Sequence, residues 1–502
     1  MKLSKLEVLE KEEVELFHEK TLYLLENIGI KVESEEARDL LKDNGAVVDE
    51  TSEVVKFPEE LIMEQLKLVP DNFRLWGSDG SFNFEVNTKT TNFATVGTPV
   101  KIYDPTNKKG VRKTVLEDTI KQIRIVDTLK NIVCSHVDVW PNDIPYLELH
   151  YHTIKAWATH STKPYGLGCL GRVASHDMMN LTSIIVGGKE ELINKPRLIG
   201  FFNPVSPLIL NKLQLNGLFE FAKYKQPTII APAASAGATA PVTLAGLLIQ
   251  SNMETLSSIV LTQLINPGCP VFYSTMNAPM DPPTGNVAWG SIETGLITIG
   301  AAQLARFYNI PSRGPGLVTE SKCFDLQNGF ERFMTLFCSA NAGINYITCA
   351  GTYESSLAEA LELLVIDDEL IDIIKRGFDG IRVDDESIAV NEITKVAAEG
   401  KNYLMLKHTA KNTRKELYVP KLANRDRRGI WERNGSKDII VRAREKVDSI
   451  LEIQKGPGIS KEIEDKLQDY FKIISARSYD DFRKAEGMDG AIAPKIVNGL
   501  EE

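Results

Sequence analysis

Cysteine is scarce in this 502-residue chain, and its six copies (Cys134, Cys169, Cys269, Cys323, Cys338 and Cys349) include no C-x-x-C pair. That pattern argues against a disulfide framework or a zinc site and for buried free thiols. No histidine or asparagine motif accompanies any of them, so a cysteine nucleophile has no evident base. Basic charge is also in deficit: 58 Lys and Arg against 68 Asp and Glu leave a formal charge of −10. A phosphate backbone is therefore a poor partner. No run reaches the roughly 18 apolar residues of a membrane helix. The most apolar helical stretch, Leu244 to Ile265, is interrupted by Gln250, Ser251, Asn252, Glu254 and Gln263. The opening MKLSKLEVLEKEEVELF is acidic and amphipathic without a signal-peptide core, so a cytoplasmic location is expected.

The common catalytic signatures are missing too. There is no H-E-x-x-H, no Walker A loop and no G-x-S-x-G elbow. His150-Tyr-His152 has a tempting spacing, but residues two apart on a helix face away from each other. His136 has two equal readings, a side chain in a barrel mouth beside Asp138 or a satisfied core histidine. Asp367-Asp368-Glu369 and Asp384-Asp385-Glu386 read as solvated acidic surface. A pocket without a nucleophile or an acid–base pair suits a reaction in which the protein binds, orients and excludes water while a cofactor breaks the bond.

What the chain does carry is periodicity. Near residues 1–70, Leu16, Thr21, Leu24, Leu25 and Ile28 fall close to helical spacing, and Ser34-Glu-Glu-Ala starts like a capped second helix, so this region is expected to be helical. Residues 72–86 alternate apolar with polar around a Gly-containing turn, the signal of a hairpin. Eight short apolar runs follow, each trailed by a long helical stretch: Asn92–Val96, Ile132–Val137, Pro164–Gly168, Leu198–Phe202, Thr228–Ala231, Val271–Ser274, Ser312–Val318 and Tyr346–Gly351. Eight such units predict an α/β fold, a (β/α)₈ TIM barrel over 91–395. It carries a helical N-terminal region with a hairpin (1–90) and a polar, helical C-terminal extension (396–502), loosely packed from about 476. An open doubly wound sheet is the alternative; it would usually place G-x-G-x-x-G after its first strand, and that motif is absent there.

Barrel active sites form at the C-terminal ends of the strands. Here those ends carry Trp140-Pro141, Tyr165-Gly166, Phe201-Phe202-Asn203-Pro204, Ala233 to Ala238, Tyr273 to Asn277, Glu320-Ser321-Lys322 and Thr352-Tyr353-Glu354. Each aromatic taken alone is more simply packing. Their recurrence at successive strand ends points to a pocket.

The chain resembles the trimethylamine methyltransferase family, in its branch without pyrrolysine. The matching stretches are Gly97-Thr-Pro, Lys163-Pro-Tyr, Phe202-Asn-Pro-Val-Ser-Pro-Leu, Pro241-Val-Thr-Leu-Ala-Gly, Asn266-Pro-Gly-Cys-Pro-Val-Phe-Tyr, Glu320 to Glu331, His408-Thr, Arg414, Pro420-Lys-Leu and Trp431-Glu-Arg-Asn-Gly435. The resemblance spans about residues 15–470. It implies a barrel whose mouth docks a partner protein carrying cobalamin, the corrinoid being supplied by that partner and no metal being held by this chain. Members with pyrrolysine act on trimethylamine; every position here is a standard amino acid, and relatives without pyrrolysine are associated with quaternary amines such as glycine betaine.

The chemistry agrees with that shift. A quaternary ammonium already carries its charge, so losing a methyl group expels a neutral amine without an acid. Aromatic faces can hold such a cation at ~0.5–2 kcal/mol each when desolvated. The cage expected from the strand ends is Trp140, Tyr165, Phe201, Phe202, Tyr273 and Tyr353, with Glu320 as a nearby charge. Arg313, Asn203, Asn277 or backbone N–H groups around Ser235 to Gly237 would receive a carboxylate. Ser235, Gly237 and His408 are the candidate corrinoid contacts, with helix capping the other reading of His408. Three further readings stand beside this one: a tertiary-amine (trimethylamine) enzyme, a non-catalytic barrel that binds betaine or cobalamin, and an unrelated lyase or isomerase, which would need a buried acid–base pair. Self-association is common for barrels of this size, but no interface patch can be named.

Overall fold

The eight apolar runs become eight parallel strands, each buried from both sides, which is why they read as near-continuous hydrophobic segments rather than alternating ones. In the computed structural model, which describes residues 4–488 except Thr98, Val137 and Asp138, they are β1 Asn92–Ala94, β2 Ile132–His136, β3 Tyr165–Gly168, β4 Leu198–Phe202, β5 Thr228–Ile230, β6 Val271–Ser274, β7 Ser312–Pro315 and β8 Tyr346–Thr348. They close into a barrel in chain order, with Tyr346 of β8 paired to Asn92 of β1. A helix follows every strand: 116–128, 149–160, 172–186, 212–223, 244–265, 292–307, 326–342 and 361–379. Side-chain oxygens at Asn211, Ser291 and Asp325 cap three of them, accepting from the N–H groups of Gln214, Thr294 and Asn328.

The helix 244–265 is long and apolar enough to cross a membrane by length and composition, yet 72% of its most apolar window is buried inside the protein. It lies in the outer ring against the N-terminal helices, and its polar residues are spent there. Glu254 accepts from Ser206 and from the Leu208 N–H, and Asn252 bonds Tyr273 and Tyr308.

The hairpin pairs Asn72–Trp76 with Asn83–Asn87 and plugs the N-terminal mouth of the barrel. Leu75, Phe84 and Val86 form one cluster with Cys134, Ile199, Ile229, Phe272 and Tyr346. Phe73 meets Phe272 edge-on at 5.2 Å, and Phe84 stacks on Tyr346 at 6.3 Å. Beside them Lys163, of the Lys163-Pro-Tyr segment, donates to the carbonyls of Val126, Leu129 and Ile132 at 2.6, 2.6 and 2.7 Å. Burial outweighs the neighbouring carboxylates and brings its pKa down to about 8.

Four expectations are corrected. Residues 1–70 are not all helix: strands Ile30–Val32, Val47–Asp49 and Val54–Lys56 separate helices 11–27, 35–43 and 59–66, and the first pairs with Ile209–Leu210 from the loop after β4. Asp367-Asp368-Glu369 is buried rather than solvated. Asp367 pairs with Arg332 and accepts from the Gly351 N–H, Asp368 accepts from Asn131, and Glu369 accepts from three successive backbone N–H groups at 421–423. Each carboxylate is tolerated because a cation or N–H donors meet it, although one oxygen of Asp367 has no hydrogen-bond partner among the described residues. The segment after 476 is docked up to 488, with Phe482 and Glu486 buried. Five cysteines are buried, but Cys323 is exposed. Asp384-Asp385-Glu386 is solvent-facing as expected.

Candidate active site

At the C-terminal ends of the strands a cavity of about 280 Å³ opens. Its apolar wall is Trp140, Phe201, Trp289, Met276, Val96 and the Leu167–Leu170 segment; its polar members are His136, Arg313, Asn203, Gln214 and Ser356. Small residues (Gly97, Gly166, Gly168, Ala233) complete it. Gly166 has no alternative: a Cβ there would sit 1.7 Å from His136 Nδ1.

Of the residues expected from the sequence, Trp140, Phe201, Asn203 and Arg313 line this cavity. Five others point elsewhere. Strand pleating sends neighbours to opposite faces, so Phe201 faces the cavity while Phe202 packs in the layer between strands and helices. Tyr165 stacks on Trp157 of the preceding helix, 149–160, at 5.9 Å. Tyr273 donates its hydroxyl to Asn252 of helix 244–265 at 2.9 Å. Asn277 bonds the Ala234 N–H and Ser251. Tyr353 packs on Phe324 in a small side sheet built from 101–103, 111–113, 352–353 and 358–359. Glu320 stands behind the wall: it accepts from the N–H of Gly290, next to cavity-lining Trp289, at 2.7 Å. Burial, with Glu331 close by, raises its pKa.

Ser235 is buried in a turn, its carbonyl accepting from three following N–H groups. Gly237, at φ +90°, is exposed on the lip. His408 is not among the residues lining the cavity; it lies within helix 407–416, its Nε2 2.9 Å from the Glu386 carbonyl. Asp138, the proposed neighbour of His136, falls outside the described residues.

Sequence reasoning missed several members of the wall. Trp289 and Met276 sit in loops after β6, tied to each other by the Trp289 Nε1–H donating to the Met276 carbonyl at 3.0 Å. Gln214 is in the first turn of the helix after β4. Its Oε1 accepts from the Asn203 N–H at 2.6 Å while Asn203 Nδ2 donates to the Ala231 carbonyl at 2.7 Å. These bonds fix both amides, leaving Gln214 Nε2 as a donor and Asn203 Oδ1 as an acceptor. A tryptophan in a long loop after a barrel strand was the signal available for Trp289; nothing in the sequence marks Gln214.

The cavity wall is mostly apolar, with the Arg313 guanidinium as its charged member. Burial, then the positive charge of Arg313, lowers the His136 pKa to about 3, so the imidazole is neutral, with Nε2 3.0 Å from the Tyr346 hydroxyl. Arg313 donates to the Thr275 carbonyl at 3.1 Å and to Thr348, and its guanidinium lies 5.1 Å from the centroid of Phe201. Burial raises Cys169 far above the ordinary thiol range, so it is a neutral thiol and not a nucleophile. Among the described residues, no group of three His, Cys, Asp or Glu is placed to hold a metal ion.

A closed barrel with its cavity at the strand C-termini is the arrangement of barrel enzymes, and comparison with known proteins says of which kind. The chain belongs to the trimethylamine methyltransferase (MTTB) family, whose sequence pattern matches residues 1–477. It is a methyltransferase. A glycine betaine methyltransferase of Desulfitobacterium hafniense is 32% identical over 473 residues, covering 93% of this chain and 96% of that one. A trimethylamine methyltransferase of Methanosarcina mazei is 33% identical over 463 residues, covering 90% and 92%. The crystal structure of the Methanosarcina barkeri monomethylamine methyltransferase superposes with a TM-score of 0.53 at 11% identity, over 94% of this chain and 88% of that one. At that identity the likeness speaks for the fold alone.

Proposed function

We propose that this protein takes a methyl group from a small quaternary amine, glycine betaine foremost, and delivers it to the cobalt of a corrinoid carried by a partner protein. The observation that carries the reading is the composition of the cavity wall: three aromatic side chains and a methionine for a methylated ammonium, with Arg313 and the fixed Gln214 donor in the same small space for a carboxylate. The rim fits a flat macrocycle, because Ala233, Gly237, Ala238 and Pro241 present only small exposed groups there. A reduced corrinoid bound at that rim would supply the nucleophile.

The protein's own contribution is positional. Trp140, Phe201 and Trp289 hold the ammonium by their faces, and the enclosed volume excludes water from the reacting carbon. The positive charge on nitrogen disappears as the C–N bond breaks, so a wall that gripped the cation too hard would stabilise the ground state over the transition state. Three aromatics beside a neutral His136 make a partial cage of the right kind. A carboxylate drawn toward Arg313 and Gln214 would turn one N-methyl group outward.

The identity of the substrate is tested by mixing the protein with cob(I)alamin and each of glycine betaine, carnitine, choline, tetramethylammonium and trimethylamine, then following loss of cob(I)alamin absorbance and release of the demethylated amine. Dimethylglycine from glycine betaine is expected. Turnover of trimethylamine alone would favour the tertiary-amine reading, which the trimethylamine methyltransferase relatives support; tight binding without turnover would favour a betaine- or cobalamin-binding barrel.

A further inference from the structure

Two walls of the cavity are held from outside by one short piece of chain that the catalytic reading does not use. Trp140 stacks on Tyr146 with ring centroids 6.2 Å apart. Tyr146 in turn receives the edge of Phe482 at 6.3 Å and 88°. Phe482 is buried at the centre of the helix Tyr479–Ala485. A few residues on, the Glu486 side chain is 1% exposed and accepts from the N–H groups of Arg172 and Val173 at 2.9 and 2.8 Å, and from Asn216 Nδ2 at 2.9 Å.

Those first two bonds place a carboxylate on the N-terminus of helix 172–186, where the orphan N–H groups and the helix dipole both favour it. The residues that lead into that helix, Gly168, Cys169 and Leu170, line the cavity. Gly171 between them is at φ +90°, and a Cβ there would come within 2.7 Å of Glu486 Oε1. The piece is itself fastened at both ends: Arg477 donates to both oxygens of buried Asp177, which also bonds His150 and Tyr470, and Lys212 Nζ donates to the Gly487 carbonyl at 2.9 Å.

We infer that residues 477–488 are a positioning element of the active site, with Phe482 setting the ring plane of Trp140 through Tyr146 and Glu486 setting the Gly168–Gly171 wall. The hydrogen bonds from this piece to the barrel join positions 270 to 314 residues apart in the chain, so local structure alone does not place either wall. Phe482 and Glu486 touch no substrate; they are positioning residues. The inference rests on the cavity being the substrate site and is indifferent to which amine enters.

The test uses the full chain carrying Phe482→Ala, Phe482→Tyr, Glu486→Gln or, as a surface control on the same helix, Asp480→Ala. Each is made with and without Trp140→Phe, so that the part of the tryptophan emission due to Trp140 is obtained by difference. Acrylamide quenching, thermal midpoint, and KM and kcat with glycine betaine and cob(I)alamin are measured. Misplacement of a binding wall by about 1 Å is worth up to ~100-fold. Phe482→Ala is therefore expected to make Trp140 about twice as quenchable and to raise KM about tenfold, with kcat changed less. Glu486→Gln should raise KM without altering Trp140 quenching, Phe482→Tyr should restore both readouts, and Asp480→Ala should change neither. A lower thermal midpoint in Phe482→Ala with Trp140 quenching and KM unchanged would overturn the inference, because that is what mere stabilisation gives. If the wild-type protein turns over no amine, the proposed function fails while the quenching comparison still decides this one.

Discussion

The two mouths of the barrel are built from the same kinds of side chain and do opposite things. At the N-terminal mouth, Phe73, Phe84, Phe272 and Tyr346 meet one another, and the hairpin closes the space above them. At the C-terminal mouth, Trp140, Phe201 and Trp289 line an open cavity, with Trp140 backed from outside by the Tyr146 ring. An aromatic residue near a barrel strand is thus no sign of a site in itself. What separates the two ends is whether another element arrives to cover the rings. At the bottom a hairpin of ten paired residues does so; at the top the loops stop short.

The comparison predicts a division of labour, and its largest consequence lies at the bottom. Phe272→Ala removes a fully buried ring from the plugged mouth and should cost ~3–5 kcal/mol of stability. Urea unfolding will read the loss, while the KM of the remaining folded enzyme should be unaltered. A large rise in KM with little loss of stability would mean that the bottom cluster is not the packing unit described.

His136 lies at the junction of the two regions, lining the cavity while bonding the Tyr346 hydroxyl that belongs to the lower cluster. Its folded pKa, about 3, lies below its ordinary 6.5. Between those values the unfolded chain binds a proton that the native state refuses, so stability is complete above 6.5 and is lost as the pH falls toward 3. By pH 5 the loss from this residue alone should reach ~2 kcal/mol. His136→Gln should flatten the slope of stability against pH in that window; an unchanged slope would show that the imidazole is charged or solvated in the folded protein.

The eight strands could be read from the sequence because each is a short apolar run followed by a helix, and a closed barrel buries every one of them. That same two-sided burial hid the site. Phe201 and Phe202 are adjacent, equally apolar and both in β4, and only the pleat decides which one sees the cavity. The N-terminal sheet was illegible for another reason: its strands have three residues each, and one of their partners, Ile209–Leu210, lies far along the chain. Asp367 to Glu369 looked like surface because acid composition does not reveal that Arg332 and five backbone N–H groups converge there. Trp289, Met276 and Gln214 come from loops and a helix start, where no periodicity marks which way a side chain points.

At the upper mouth the effects should be smaller and should fall on binding. Trp289→Ala withdraws one face from the ammonium, at ~0.5–2 kcal/mol, so KM should rise about tenfold with the thermal midpoint little changed. A change of similar size in tetramethylammonium binding is expected as well, because the face acts on the methylated cation and not on the carboxylate.

The smallest effect, and the most discriminating, belongs to Gln214. Its Oε1 is committed to the Asn203 N–H, so the group left to meet a ligand is a donor, useful only to a substrate that offers an acceptor. Gln214→Leu keeps the bulk and deletes that donor together with the acceptor for the Asn203 N–H; the donor's share for a substrate acceptor is ~1 kcal/mol, a single hydrogen bond. The KM for glycine betaine should rise about fivefold, while that for tetramethylammonium, which has no acceptor, should hold or fall. Equal changes for both ligands would show that Gln214 only shapes the wall through Asn203, and the carboxylate would then have to be read by Arg313 or by the backbone of the 233–240 loop.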